Sequence, residues 1–157
     1  MTGARFGITD YSPSDFQSVI DFFGKMFDNL GHEFDLTSKD KDLSDIPAHY
    51  QSDGGMFLIA RRQLNLVGTI ALRPLKEGVC ELKRFYVLPE FQRQGIGARL
   101  LEKLIDHTRS KPWSAIRLDT THKSASAISL FRKYGFVEIE RYNTDLFAEI
   151  FFELKIG

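Results

Sequence analysis

The sequence predicts a mixed α/β domain, and three observations carry that reading. The pattern switches repeatedly between short apolar runs bounded by turn residues, as strands require, and apolar positions spaced by three and four, as helices require. At 157 residues the chain is long enough to bury one core but not two, so residues 1–157 are read as a single domain. Apolar residues at 43 % and charged residues at 27 % are ordinary for a globular protein, which removes any need for a fibrous or disordered class.

The elements follow in chain order. Arg5 to Thr9 can form a short first strand. In Tyr11-Ser12-Pro13-Ser14-Asp15, Ser12 stands as a helix N-cap, Pro13 at the first helical position and Asp15 near the positive helix end. Phe16, Val19, Ile20, Phe23 and Phe27 then mark one buried helical face. Residues 28–46 carry Asp28, Glu33, Asp35, Asp40, Asp42 and Asp45 with little periodicity, which suggests a loop containing a short second helix. Met56–Ala60 and Leu66–Arg73 form strands joined by a polar turn. Pro74 and Gly78 punctuate a second turn before the strand Val79–Leu88, which Pro89 ends. Ile96, Leu100, Leu101, Leu104 and Ile105 line a helix running to about Arg109. Ala115–Thr120 is a strand and Ser124–Tyr134 a helix. Arg132 and Lys133 favour its negative end, and Gly135 stops it. Phe136–Tyr142 and Glu149–Ile156 close as strands.

Several function classes fall away on composition. Twenty-one basic side chains balance twenty-one acidic ones, which argues against a nucleic-acid partner. One cysteine excludes an intrachain disulfide or a thiol-rich metal cluster. The polar stretch Met1–Thr9 lacks the apolar run of a signal peptide, and no stretch nears the roughly 20 apolar residues of a membrane span. The expectation is a cytoplasmic protein with no membrane partner, its self-association as a homodimer left open. His32, His49, His107 and His122 show no metal-ligand spacing, so no metal is expected.

The informative segment is Glu81-Leu82-Lys83-Arg84-Phe85-Tyr86-Val87-Leu88-Pro89-Glu90-Phe91-Gln92-Arg93-Gln94-Gly95-Ile96-Gly97. A strand runs into a glycine-bearing turn that opens directly into a helix. The first helical turn leaves backbone N–H groups unpaired and carries about half a positive charge. Glycines let that backbone approach a bulky anion, so the arrangement can cradle a pyrophosphate. The plainer reading of two such glycines is a tight turn. Neither the G-x-x-x-x-G-K-[ST] phosphate loop nor the third glycine of a dinucleotide fingerprint is present.

Gln92 to Gly97, after a strand ending Val87-Leu88-Pro89, resembles the Q/R-x-x-G-x-G/A signature of the GNAT superfamily of N-acetyltransferases. Ala127-Ile128-x-Leu130-Phe131-x-x-x-Gly135-Phe136 is similar to that family's A-I-x-L-Y-x-x-x-G-F. The resemblance extends to the element order over nearly the whole chain. It implies the GNAT acyl-CoA N-acyltransferase fold, a mixed and mostly antiparallel sheet flanked by helices, and it implies acetyl-CoA as cosubstrate. The amides of Gln92, Arg93, Gln94, Gly95 and Gly97 would hold its pyrophosphate, with Ile96, Ala98, Ser124 and Phe131 completing the binding set. The backbone of Phe85, Tyr86 and Val87 would pair with the pantetheine arm and polarise the thioester.

Glu81 lies eleven residues before Gln92, where the histone-acetyltransferase branch of that family carries a catalytic glutamate. A carboxylate there can take the proton that an amine must lose. The alternative is a carboxylate merely paired with Lys83, Arg84 or Arg73. Two departures bear on mechanism. Phe131 replaces the family's tyrosine, and Ser124 replaces a frequent asparagine. Tyr134, about 60° further round the helix, is the other candidate acid, against a plainer role in the core. Lone Cys80 reads as strand packing. The implied activity is direct acetyl transfer from acetyl-CoA to a small-molecule or peptide primary amine. A non-catalytic acyl-CoA sensor is the alternative that Phe131 keeps open. The acceptor is not legible: the acids of 28–46 favour a cation, and Arg73 and Arg84 favour a carboxylate.

Overall fold

The computed structural model describes residues 5–157, so the first four residues of the polar N-terminal stretch lie outside it. Strand β1 (Gly7–Asp10) leads through a short 3-10 turn at Pro13–Asp15 into α1 (Phe16–Leu30). The helix proper therefore begins after the Ser12–Asp15 cap, where the Asp15 carboxylate accepts from the Ser12 amide at 2.9 Å. A second 3-10 turn (Lys41–Asp45) precedes α2 (Ile46–Tyr50), the short helix expected in the acidic segment. Then come β2 (Met56–Arg62), β3 (Asn65–Lys76), β4 (Val79–Val87), α3 (Ile96–Arg109), β5 (Ala115–Thr120), α4 (Ala125–Lys133), β6 (Val137–Ile139) and β7 (Ile150–Lys155).

The seven strands form one sheet in the order β1-β2-β3-β4-β5-β7-β6. Every neighbouring pair is antiparallel except β4 with β5, which run parallel and are linked by the α3 crossover. This is the mostly antiparallel, helix-flanked α/β fold that the sequence suggests. Successive strand residues face opposite sides of a sheet. Tyr86 packs on Phe23 and Phe27 of α1, while Phe85 packs on Phe131 of α4 and lies 3.5 Å from where a side chain on Gly97 of α3 would start. Hence α1 covers one face and the α3–α4 pair the other.

Three local expectations need correction. The buried stripe of α1 is Val19, Phe22, Phe23, Met26 and Phe27, while Phe16 is 37 % exposed and Ile20 only half-buried. Phe22 and Met26 widen the stripe in place of Phe16, the first residue of the helix. Pro74 does not end β3; the strand passes through it at a bulge between Pro74 and Lys76, where a missing N–H is tolerated. The penultimate strand stops at Ile139 instead of Tyr142. Residues after it form a loop that bonds to itself, with Arg141 donating to the carbonyls of Asp145 and Ala148 at 2.8 Å each.

Candidate active site

The site begins where two strands part. Strand β4 pairs with β5 only through Val79↔Ala115, Cys80↔Ile116 and Glu81↔Arg117. Beyond Glu81, β4 continues along β3 up to Val87, and β5 continues along β7 up to Thr120. The facing edges of Leu82–Val87 and Leu118–Thr120 are left without a strand partner, forming a fork with Glu81 at its base.

A bulge in β4 tunes that open edge. Arg84 adopts φ 53°, a left-handed conformation costly for a residue with a side chain. Ladder register shifts there, between Thr69 and Ala71 on β3. The Arg84 carbonyl accepts from Thr69 Oγ1 at 2.8 Å, and the Leu88 amide donates to the Val67 carbonyl at 2.9 Å. Both groups point at β3, so the planar trans peptides turn the Phe85 amide and the Val87 carbonyl the other way. By alternation Tyr86, paired with Thr69, spends its backbone groups on β3 and the Val87 amide faces the fork. Of the three residues expected on the pantetheine edge, Phe85 and Val87 turn their amides toward it, while the Val87 carbonyl is taken by the Gln92 side chain.

The strain at Arg84 is held by its side chain. Its Nη1 lies 3.1 Å from Asp40 Oδ1, and its Nη2 and Nε donate to Asp42 at 2.6 and 3.0 Å. Tyr50 donates to the same Asp42 carboxylate at 2.5 Å. Burial alone would raise the Asp42 pKa, but bonding to Arg84 and Tyr50 outweighs it and holds the carboxyl below its ordinary range. Asp40 and Asp42 of the 28–46 segment are thus balanced by Arg84, one of the two candidate carboxylate-binding arginines, together with Lys39, whose Nζ lies 3.2 Å from Asp40.

Beyond β4 the chain turns at Pro89–Phe91 and reaches α3 through Arg93 and Gly95, at φ 63° and 85°. Both are left-handed, and Gly95 suits that conformation without a Cβ. Nothing lies within 4 Å of where a Gly95 Cβ would stand, so the space above the turn is open. The Gln92 amide, expected among the pyrophosphate donors, instead donates to the Pro89 carbonyl at 3.3 Å, which closes the turn before it. Among the described residues the amides of Arg93 through Ala98 find no acceptor, and the next backbone bond is Arg99 N–H to Gly95 O at 3.0 Å. Gln92 folds its side chain back to the Val87 carbonyl at 3.0 Å, and the Gln94 side chain accepts from Arg62. With the side chains of Gln92 and Gln94 folded away, the turn presents backbone amides and the exposed Arg93 to an anion.

Glu81 is 2 % exposed and fully engaged. Arg73 Nε and Nη2 donate to its Oε1 at 3.1 and 2.9 Å, and the Tyr142 hydroxyl donates to its Oε2 at 2.7 Å. The pairing with Arg73 weighed from sequence is present. Tyr142 is the site residue that sequence reasoning missed, because it stood at the end of an expected strand.

The remaining candidates lie apart. Tyr134 caps α4, and its hydroxyl donates to Glu102 of α3 at 2.5 Å, which raises the phenol's pKa above its usual value. It borders a cavity of about 360 Å³ between α3 and the end of β7, lined also by Arg99, Glu102 and Leu154, which shares no residue with the fork. Phe131 is a core ring among Phe85, Phe136 and Phe152, and supports Phe85 from beneath. Ser124 starts α4 without a side-chain cap bond. The Cys80 thiol is buried and pushed up to about 12, which makes it inert as a nucleophile.

Residues 20–136 match the model of the acetyltransferase (GNAT) family, about three quarters of the chain. The chain belongs to that family. It is 28 % identical, over 82 % of its length and 78 % of the relative's, to the uncharacterized N-acetyltransferase C1271.07c of Schizosaccharomyces pombe. It is 41 % identical to an IAA acetyltransferase of Azospirillum brasilense over 52 % of this chain, and that match spans 54 % of the relative. Among solved structures, a GNAT acetyltransferase of Staphylococcus aureus Mu50 superposes with a TM-score of 0.87 at 27 % identity, covering 98 % of this chain and all of that one. The fold is shared as well by yncA of Salmonella typhimurium, solved with its cofactor acetyl-CoA, with a TM-score of 0.75 at 19 % identity over 97 % of this chain and 94 % of that one. No helix among the described residues is long and apolar enough to cross a membrane, and none of their His, Cys, Asp and Glu side chains cluster as metal ligands.

Proposed function

We propose that this GNAT chain acts as one domain that moves the acetyl group of acetyl-CoA directly onto a primary amine. The observation that carries the reading is the fork between β4 and β5, which opens beside a left-handed turn whose amides at 93–98 have no partner among the described residues. An acyl-CoA fits both parts: a pyrophosphate on the amides of residues 93–98 at the positive end of α3, and an extended amide-bearing arm along the free edge of β4. The acetyl-CoA complex of the Salmonella neighbour supports that choice of cosubstrate.

Acetyl-CoA, when bound, supplies an activated acyl group and a thiol leaving group. The chain supplies the rest. One of the amides of Phe85 and Val87 donates to the oxygen that gains negative charge, a contact worth about 3–4 kcal/mol in comparable sites, while the other pairs with the arm. Glu81 is the proton acceptor. An alkyl amine of pKa about 10.4 lies about 3.4 units from neutrality at pH 7, roughly 4.6 kcal/mol of lost nucleophile, so a base has real leverage. Cys80, the one thiol, is buried and held protonated, which favours direct attack over a covalent enzyme intermediate.

The test is release of free thiol from acetyl-CoA across spermidine, benzylamine, amino acids and lysine peptides. Turnover with at least one amine is expected. Tight acetyl-CoA binding with no turnover on any of them would replace the enzyme by a sensor.

A further inference from the structure

Glu81 cannot meet an acceptor directly. Its carboxylate is 2 % exposed, Oε1 is covered by two donors of Arg73, and Oε2 is covered by the Tyr142 hydroxyl. Of these two partners, Arg73 cannot carry a proton away. Burial would lower its pKa, but the Glu81 carboxylate outweighs that and raises it, so the guanidinium stays charged. Tyr142 is only half-buried, and its hydroxyl can give one proton while receiving another.

We propose that Tyr142 is a catalytic residue, the relay through which Glu81 takes the proton of the acceptor amine. The inference rests on the reading of Glu81 as the proton acceptor. As the Tyr142 hydroxyl gives its proton to Glu81 Oε2, Tyr142 Oη takes one from the acceptor's ammonium. The products are a neutral amine, an intact tyrosine and a protonated Glu81; the charge of the ammonium has cancelled that of the carboxylate. Glu81 later returns the proton to solvent along the same hydroxyl. Burial, and then the hydrogen bond to Glu81, raise the Tyr142 pKa far above its ordinary value. A free phenolate therefore does not form, and the two transfers are concerted.

The surroundings hold the relay in place. The Tyr142 ring meets Phe151 edge-on with centroids 5.4 Å apart, and the Arg117 guanidinium lies 5.5 Å from its centroid. Arg117 donates to Glu153 at 2.8 Å, so its own charge is paired. The next residue, Asn143, donates to Asp119 at 2.6 Å and ties the loop to β5. The ionisable groups around Glu81 are then Arg73 from β3, Lys83 on its own strand, Arg117 and Asp119 from β5, and Tyr142 from the loop. Tyr50 of α2 and Asp42 before it act on Arg73 from behind. Among the described residues, Tyr142 is the one whose side chain hydrogen-bonds Oε2.

The experiment is a double-mutant cycle of Glu81→Gln and Tyr142→Phe, using the fastest amine of the acceptor panel and, as a control, hydroxylamine, which is largely unprotonated at pH 7. Tyr142→Phe keeps the ring and should lower kcat on the order of 10²-fold at pH 7, with the deficit shrinking toward high pH. Acetyl-CoA affinity by calorimetry should stay within about twofold. The double variant should be no slower than the worse single one by more than about threefold, because both changes break one path. The loss should nearly vanish with hydroxylamine. A Tyr142→Phe rate equal to wild type across pH, with Glu81→Gln impaired, overturns the relay alone. Full activity in both variants removes Glu81 and so the reading beneath it. Multiplying deficits, or an equal loss with hydroxylamine, would also overturn the relay. If Tyr142→Phe fails to fold, 3-fluorotyrosine at position 142 replaces it. A kcat that moves at least about twofold with the more acidic hydroxyl supports the relay, and an unchanged kcat at every pH overturns it.

Discussion

The turn at residues 92–98 and the centre at Glu81 lie at the two ends of the same strand edge, and they are built on opposite principles. The turn is one contiguous run that offers backbone amides from an exposed, glycine-relaxed loop, and its Gln92 and Gln94 side chains fold away toward Val87 and Arg62. The Glu81 centre is made of side chains, Arg73 and Glu81 facing each other on the β3–β4 hairpin and Tyr142 reaching them from a loop 61 residues on, with the Glu81 carboxylate buried among them. Binding a large anion needs many weak donors in a fixed curve, which backbone supplies at low cost. Moving one proton needs a few titratable groups held to a fraction of an ångström, which takes tertiary packing. The two regions should therefore fail separately, one in affinity and one in rate.

Arg84 joins them, and its loss should have the largest effect. Replacing it by methionine leaves Asp42 without its cation and Asp40 with the half-exposed Lys39 alone, so the fold should lose about 3–5 kcal/mol in denaturant titration. Since pairing lowers the Asp42 pKa, its stabilisation is present above the ordinary carboxylate range and is lost as pH falls through the lowered folded value. The gap between wild type and Arg84→Met should accordingly narrow in acid. A gap that is small at neutral pH would mean that the bulge is held by the ladder alone.

Next comes Glu81→Gln, expected to lower kcat about 10²-fold at pH 7 with less deficit at high pH. A pH-independent loss would instead mark Glu81 as an anchor for Arg73. Gly95→Val should then weaken acetyl-CoA binding at least about tenfold, or 1.4 kcal/mol, without slowing the bound complex. Both the left-handed backbone and the open space above the turn disfavour a branched side chain there. Unchanged affinity in the folded variant would locate the cofactor elsewhere. The smallest effect belongs to Tyr134→Phe. Its hydroxyl is spent on Glu102, so kcat should stay within about threefold, since little transition-state stabilisation is at stake. A loss above about 30-fold in a folded variant would return Tyr134 to the chemistry as an acid.

The same contrast explains what the sequence disclosed. Gln92–Gly97 is legible because its parts are neighbours in the chain and its function needs little beyond a turn feeding a helix. Glu81 is legible through its spacing from that turn. Tyr142 is not, since its contact with Glu81 spans 61 residues and exists because β6 stops at Ile139, releasing the following loop from the ladder. Arg84 misled for a related reason: nothing local shows that Asp40 and Asp42 return to meet it, so a bulge anchor reads as a substrate-binding cation. Phe16 in α1 and Pro74 in β3 show the limit of periodicity, since tertiary packing decides which apolar residues are covered and a bulge can absorb a proline.

The most direct measurement is an amide NMR titration of the labelled protein with coenzyme A. Resonances of Phe85, Val87 and residues 93–98 should move together, while those around Tyr134 and Glu102 stay still. Shifts confined to the Tyr134–Glu102–Leu154 cavity, with the amides of 93–98 unmoved, would contradict the account.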